Sequence, residues 1–175
     1  HFKLVEVFTA LENIILGFEC IAKEHPLVWL NIIGDGSYLT ELKSLVKEKK
    51  IPNINFTGRK KIAEMPNYYK ASDVLIISLK DVPLYEIMIP SKFQAYLTTN
   101  KPIYSIFKGE VSLLVNKYQI GQTANPSNIE EIANGFRRFL SLSKEEIERY
   151  SQNSVCLLNK VFNREHIISN INSTF

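Results

Sequence analysis

Hydrophobic positions along the chain fall into two rhythms that succeed one another in strict order. Leu11, Ile14, Ile15, Phe18, Ile21 and Ala22 recur at helical spacing and predict a first helix ending near Glu24, with Pro26 as its stop. Leu27 to Ile33 is a short apolar run that closes on Gly34-Asp35-Gly36 and predicts a strand. Leu39, Leu42, Leu45 and Val46 return to the helical period, and Lys47 to Lys50 make a solvated end for that helix. Asn53 to Thr57 predicts a second strand, closed by Gly58. Ile62 to Ala71 reads as a short helix, Val74 to Ile77 as a strand, Ser91 to Thr99 as a helix and Pro102 to Phe107 as a strand. A helix is expected from about Glu110, a weak strand over Ile120 to Ala124, an amphipathic helix over Ile129 to Leu140, and two further helical segments before the C-terminus.

Strands that alternate with helices predict a parallel sheet covered on both faces. The expected fold class is therefore α/β, a doubly wound, Rossmann-like parallel sheet with C-terminal helices. Such sheets bind ligands outside the carboxyl ends of their strands, where the strand order reverses. Small-molecule binding is accordingly the leading class of function.

The chain has 175 residues, enough for one domain. Its 45% hydrophobic and 22% charged composition is that of a globular protein. A formal charge of +3 suits an anionic small ligand or a membrane surface and is too small to argue for a nucleic-acid partner. Cys20 and Cys156 lie in apolar helical contexts and are expected to be buried thiols of a reducing compartment rather than a disulfide. No apolar run approaches the roughly 18 residues of a membrane span, and no secretory signal pattern is present. The chain begins at His1, without Met, inside what reads as structure, so it is expected to be a piece of a longer protein.

Four loops could carry chemistry. Gly34-Asp35-Gly36 follows a strand and opens a helix, so its backbone can approach a phosphate or base. A dinucleotide fingerprint would place a third glycine where Leu39 stands, which weakens a nicotinamide or flavin reading. Gly58-Arg59-Lys60-Lys61 sets basic side chains beside a glycine, as a phosphate site or as a solvated charged loop. The segment from Leu79 to Lys92 is long, bounded by prolines, and holds the carboxylate Glu86 among apolar residues before Pro90, Ser91 and Lys92, with Ser91 in the expected N-cap position. Gly109-Glu110 opens another helix after a strand, where free N–H groups suit a diphosphate or simply make a turn. His1, His25 and His166 are dispersed, so no metal site is expected.

In this order and spacing the chain resembles the C-terminal domain of family 4 glycosyltransferases, the retaining GT-B enzymes, and most closely the branch that builds bacterial capsule, O-antigen and exopolysaccharide. The resemblance runs through Ile33-Gly34-Asp35-Gly36, Phe56-Thr57-Gly58-Arg59, Glu64-Met65-Pro66-Asn67-Tyr68-Tyr69, Ala71-Ser72-Asp73-Val74-Leu75-Ile76, Leu79-Lys80-Asp81, Tyr85-Glu86-Ile87 and Ile89-Pro90-Ser91-Lys92. It continues through Asn100-Lys101-Pro102, Lys108-Gly109-Glu110 and Phe162-Asn163-Arg164-Glu165, and so covers nearly the whole chain. It implies that residues 1–175 are the nucleotide-sugar-binding half of a two-domain enzyme that lacks its N-terminal acceptor domain here and is inactive alone. Gly34, Gly36, Gly58, Arg59 and Lys60 would border the base and phosphates, Glu86 would contact the transferred sugar, and Pro90, Ser91, Lys92, Gly109 and Glu110 would lie near the diphosphate or ribose. No cofactor and no metal are implied; the substrate would be a nucleoside-diphosphate sugar, UDP-type first, and the acceptor a carbohydrate or lipid-linked hydroxyl. The enzyme would be cytoplasmic, or peripheral at the inner face of the cytoplasmic membrane.

Two features depart from the family pattern. Its second glutamate, which binds the ribose hydroxyls, would align with position 95, where this chain has Ala95, and the neighbouring Gln94 is turned by about 100° on a helix. The family's phosphate-binding Arg and Lys find no counterpart except Lys3. Two other readings stay open at this level. One is an NDP-sugar epimerase of the same architecture; the other is a catalytically silent domain that binds a nucleotide or a partner, with Tyr68, Tyr69, Phe136 and Phe139 as surface or, at their helical spacing, as core.

Overall fold

A computed structural model describes residues 2–6, 11–79 and 83–162, the first of these stretches by its backbone alone. Six parallel strands run in the order β3-β2-β1-β4-β5-β6. They are β1 (Phe2–Glu6), β2 (Val28–Ile33), β3 (Ile54–Gly58), β4 (Val74–Ser78), β5 (Ile103–Ile106) and β6 (Gly121–Thr123). The helices are α1 (Leu11–Ala22), α2 (Leu39–Glu48), α3 (Met65–Ala71), α4 (Pro83–Glu86), α5 (Ser91–Leu97), α6 (Glu110–Tyr118), α7 (Ile129–Leu140) and α8 (Lys144–Val161). This is the doubly wound α/β fold expected, and the strand order reverses between β1 and β4.

Two apolar clusters hold the sheet, one on each face. Ile14, Phe18 and Ile21 of α1 and Phe136 and Phe139 of α7 pack beneath Leu30, Ile76 and Tyr104. Phe93 and Leu97 of α5, Val111 and Val115 of α6 and Leu157 of α8 pack above Leu75, Ile77 and Ile103. β4 and β5 are buried along their whole length, as their mostly apolar runs demand. Phe136 and Phe139 are therefore core, and Tyr68 and Tyr69 pack half-buried against the second cluster.

Close approach of α7 depends on small residues. A Cβ on Gly135 would stand 2.1 Å from the Tyr104 hydroxyl, and one on Gly17 would stand 2.5 Å from a methyl of Ile132. The Tyr104 hydroxyl donates to the Ile132 carbonyl at 2.8 Å. Burial, and then the negative charge of Glu131, push the Tyr104 phenol well above the usual tyrosine value of 10.0. In the unfolded chain this phenol ionises near 10; in the fold it stays protonated. Its contribution is thus complete below that pH and is lost as pH rises above it. Tyr104→Phe is expected to lose about 1 kcal/mol near neutral pH and to show a shallower fall of stability above pH 10, measured by denaturant unfolding at stepped pH.

The structure corrects several sequence expectations. β1 is absent from the sequence reading, although it is the central strand. Covering on both faces fails over β2 and β3: Trp29 is 37% exposed, Asn55 is exposed, and the Asn55 amide donates to the Asn31 side chain at 3.2 Å on this open strip. Cys20 is exposed and Cys156 half-buried, both free, because each falls on the outer side of an amphipathic helix. Ser91 is the first residue of α5, and Pro90 holds the N-cap position with extended backbone. The segment after β4 contains the single turn α4. Ile62 to Ala71 is a 3-10 turn, Ile62–Glu64, running into α3. The first of the two helical segments expected after α7 is α8, capped at Ser143 by the Glu146 N–H and side chain, and the second lies outside the described residues. Lys80, Asp81, the C-terminal residues 163–175, His1 and the Lys3 side chain lie outside the described residues.

Candidate functional site

The candidate residues sit at one end of the sheet because parallel strands deliver every following loop to their carboxyl ends. At the end of β2 the pairing with β3 shifts between Ile32 and Ile33, so that Ile33 stands beside Gly58. There Gly34 takes φ 144° and Gly58 φ 67°, backbone that side chains with a Cβ rarely adopt. The Gly34 N–H donates to the Gly58 carbonyl at 3.1 Å, which ties the two loops together. Arg59 is exposed beyond this junction, while the Lys60 ammonium lies 5.7 Å over the Tyr68 ring. Glu64 accepts from the Lys61 N–H at 2.9 Å and closes the loop.

A second pair forms across the reversal point. Gly109, the N-cap residue of α6, has φ 128° and ψ −163°. A Cβ there would stand 2.2 Å from the Glu86 carbonyl oxygen and 2.5 Å from the Glu86 Cα. The backbones of Gly109 and Glu86 are thus packed directly on one another, and the Glu86 side chain is exposed. Ser91 opens α5 at the same end, exposed, with Lys92 half-buried beside it; Pro90 is half-buried and Glu110 exposed. Asp35 is exposed and Gly36 half-buried in the β2 loop.

The predicted residues therefore gather as two pairs of loops rather than one knot. β1 and β4 lie between β2 and β5. At about 4.8 Å per strand, the Gly34–Gly58 junction and the Gly109 turn stand roughly 14 Å apart, a span for an extended ligand with two dissimilar ends. α5 turns Phe93, Tyr96 and Leu97 inward and leaves Ser91, Gln94, Ala95 and Thr98 exposed. Ala95 thus stands on the outer face of that helix.

The contact between Glu86 and Gly109 had no signal in the sequence. The apolar rim around these loops was also missed: Ile87 is 80% exposed and Ile62 90% exposed, and Tyr38, Met88 and Leu113 share the exposure. Single exposed apolar residues are common; of these, Ile87 and Met88 directly follow Glu86. A groove of about 470 Å³ lined by Thr99, Lys101, Lys144 and Ile147 lies before β5, at the opposite end of the sheet, and belongs to no part of this site. Among the described residues no group of His, Cys, Asp and Glu could hold a metal ion. Among them, too, no helix is long and apolar enough to cross a membrane.

A family model described as "Glycosyl transferases group 1" matches residues 5–155. The Pseudomonas aeruginosa protein "Probable glycosyltransferase WbjE" is 24% identical over 120 residues, which are 67% of this chain and 29% of that protein. Anabaena HepE, solved in complex with UDP-glucose, superposes with a TM-score of 0.77 at 17% identity, over 99% of this chain and 48% of HepE. The C-terminal domain of LpcC, a glycosyl transferase group 1 family protein of Francisella tularensis, superposes with a TM-score of 0.75 at 15% identity, over 93% of this chain and 87% of that domain. The chain thus spans less than a third of WbjE and about half of HepE.

Proposed function

Since this chain belongs to the group 1 glycosyl transferases, we propose that it binds a nucleoside-diphosphate sugar, UDP-type, as the donor half of a retaining glycosyltransferase of family 4. The observation that carries the reading is the pairing of loops on either side of the strand reversal, Gly34 with Gly58 and Glu86 with Gly109. In this reading the nucleoside lies along the first pair, with Arg59 and Lys60 near the base and phosphates. The sugar lies at the second pair, against Glu86.

The chemistry follows from charge. The acceptor hydroxyl oxygen bonds the anomeric carbon, the bond from that carbon to the diphosphate breaks, the hydroxyl proton passes to the departing phosphate oxygen, and the new bond forms on the same side. Negative charge grows on the leaving diphosphate. Basic side chains and the N–H groups at the starts of α5 and α6 offset it without a metal ion. Glu86 accepts hydrogen bonds from sugar hydroxyls and fixes the orientation of the sugar ring. The acceptor, a carbohydrate or lipid-linked hydroxyl of cell-surface polysaccharide synthesis, would be presented by a second, N-terminal domain at the cytoplasmic face of the membrane.

Ala95 favours a second reading, a domain that binds the nucleotide without turning it over. An exposed methyl offers no acceptor for ribose hydroxyls. Titration with UDP, GDP and ADP, followed by amide chemical shifts, tests the donor reading. UDP is expected to shift the amides of Gly34, Gly58, Ser91 and Gly109. Absence of binding by all three at millimolar concentration would overturn it. Ala95→Glu is expected to tighten UDP binding about tenfold through charge-assisted hydrogen bonds; unchanged affinity would show that the ribose lies elsewhere.

A further inference from the structure

We infer that Gly109 is a positioning residue for Glu86, a backbone stop set by the β5–α6 turn that fixes how far the carboxylate projects. This rests on the reading of Glu86 as the sugar contact. Glu86 closes a helix of only four residues, α4, in a segment where Ile87, Met88 and Ile89 are all exposed. That segment has little packing of its own to hold a carboxylate still. The Glu86 backbone packs on Gly109: a single Cβ there would meet the Glu86 carbonyl oxygen at 2.2 Å, its Cα at 2.5 Å and its carbonyl carbon at 2.7 Å.

The turn that carries Gly109 is locked from beneath. The Ser112 hydroxyl donates to the Phe107 carbonyl at 2.5 Å. Ser105, fully buried on β5, lies 2.8 Å from that hydroxyl. A hydroxyl has one proton, and that of Ser112 goes to Phe107, so Ser105 is the donor to Ser112. The Leu113 N–H donates to the Gly109 carbonyl at 3.1 Å and begins α6. A chain of hydroxyls running from buried Ser105 to half-buried Ser112 thus fixes the turn, the turn fixes Gly109, and Gly109 sets the height of Glu86. Any side chain at position 109 must push against backbone, at a φ of 128° that disfavours it further.

The test compares UDP with UDP-glucose by calorimetric titration of the protein. The ratio of the two affinities reads the sugar contact and cancels the nucleotide. Gly109→Ala and Glu86→Gln are each expected to cut that ratio about tenfold. The double variant should fall no further than Glu86→Gln, because Gly109 acts only through Glu86. Ser112→Ala, which leaves the Glu86–Gly109 contact sterically intact, should lower the ratio about threefold.

Equal loss of UDP and UDP-glucose affinity in Gly109→Ala would overturn the inference and place Gly109 on the diphosphate itself. A retained ratio in Gly109→Ala beside a lost one in Glu86→Gln would overturn it as well. If Glu86→Gln keeps the ratio, or UDP-glucose and UDP bind the parent alike, the sugar-contact reading is what fails. The positioning is then decided without ligand. Gly109→Ala must shift the amide resonances of Glu86 and Ile87 and leave those of Gly34 and Gly58 in place; unmoved Glu86 and Ile87 amides would overturn it.

Discussion

Gly121→Ala is expected to destabilise the fold by about 3–5 kcal/mol, the largest effect of any single methyl in the described structure. Gly121 opens β6 opposite Ile103 of β5. A Cβ at that position would stand 1.7 Å from the Ile103 carbonyl oxygen and 2.8 Å from the Ile103 nitrogen. The obstacle is backbone within a buried strand, which no rotamer change can relieve. Relief needs β6 to leave β5. That would break the bond from the Ile103 N–H to the Ile120 carbonyl at 3.1 Å and the bond from the Ala124 N–H to Ser105 at 3.0 Å. It would also pull Gln122 away from the Tyr150 hydroxyl, a 2.8 Å bond that ties the sheet edge to α8. Denaturant unfolding with an unchanged slope measures the loss. A change below about 1 kcal/mol would mean that β6 sits farther from β5 than the structure places it.

Glu86→Gln is expected to reduce sugar transfer by about a hundredfold or more, with nucleotide affinity nearly unchanged. The substitution keeps the shape of the side chain and removes its charge. A carboxylate accepts at both oxygens, whereas the amide turns one acceptor into a donor and meets sugar hydroxyls with the wrong polarity. The Glu86 side chain is exposed at the strand reversal, so its replacement leaves no buried group unpaired. Stability should therefore stay within about 0.5 kcal/mol of the parent. Single-turnover assays of the protein together with its acceptor domain separate the two readings. A fall in rate larger than the accompanying rise in donor KM supports a contact that strengthens in the transition state. Full activity would remove Glu86 from the chemistry and leave the loop pairs as a nucleotide site alone.

Much of this was legible before any coordinates. Ile76 and Tyr104 lie in continuous apolar runs, and such runs become doubly buried parallel strands. The Gly34 and Gly58 loops follow strands, which forces them to the ligand end. The N-terminal strand could not be read in the same way. Phe2-Lys3-Leu4-Val5-Glu6 mixes charges into five residues, and its place between β2 and β4 comes wholly from pairing, Leu4 beside both Leu30 and Val74. The expected cover of β2 and β3 failed for a related reason. Trp29 and Asn55 are apolar and polar in turn, and only the positions of the helices decide which face stays open.

The sequence by itself thus determined the fold class, the order of its elements and the end of the sheet where glycines and charges gather. Those properties follow from periodicity and chain direction, which are local. The tertiary structure alone decided which loops meet. Glu86 and Gly109 are brought together because β4 and β5 are neighbours in the sheet, and Gly34 and Gly58 because β2 and β3 are. It also decided which glycines are indispensable. Gly121 has ordinary backbone angles and Gly109 does not, yet both are required, because in each case another strand or turn occupies the volume where a side chain would begin. A glycine in a sequence records the missing atom; the neighbour that excludes it is contributed by packing between residues distant along the chain.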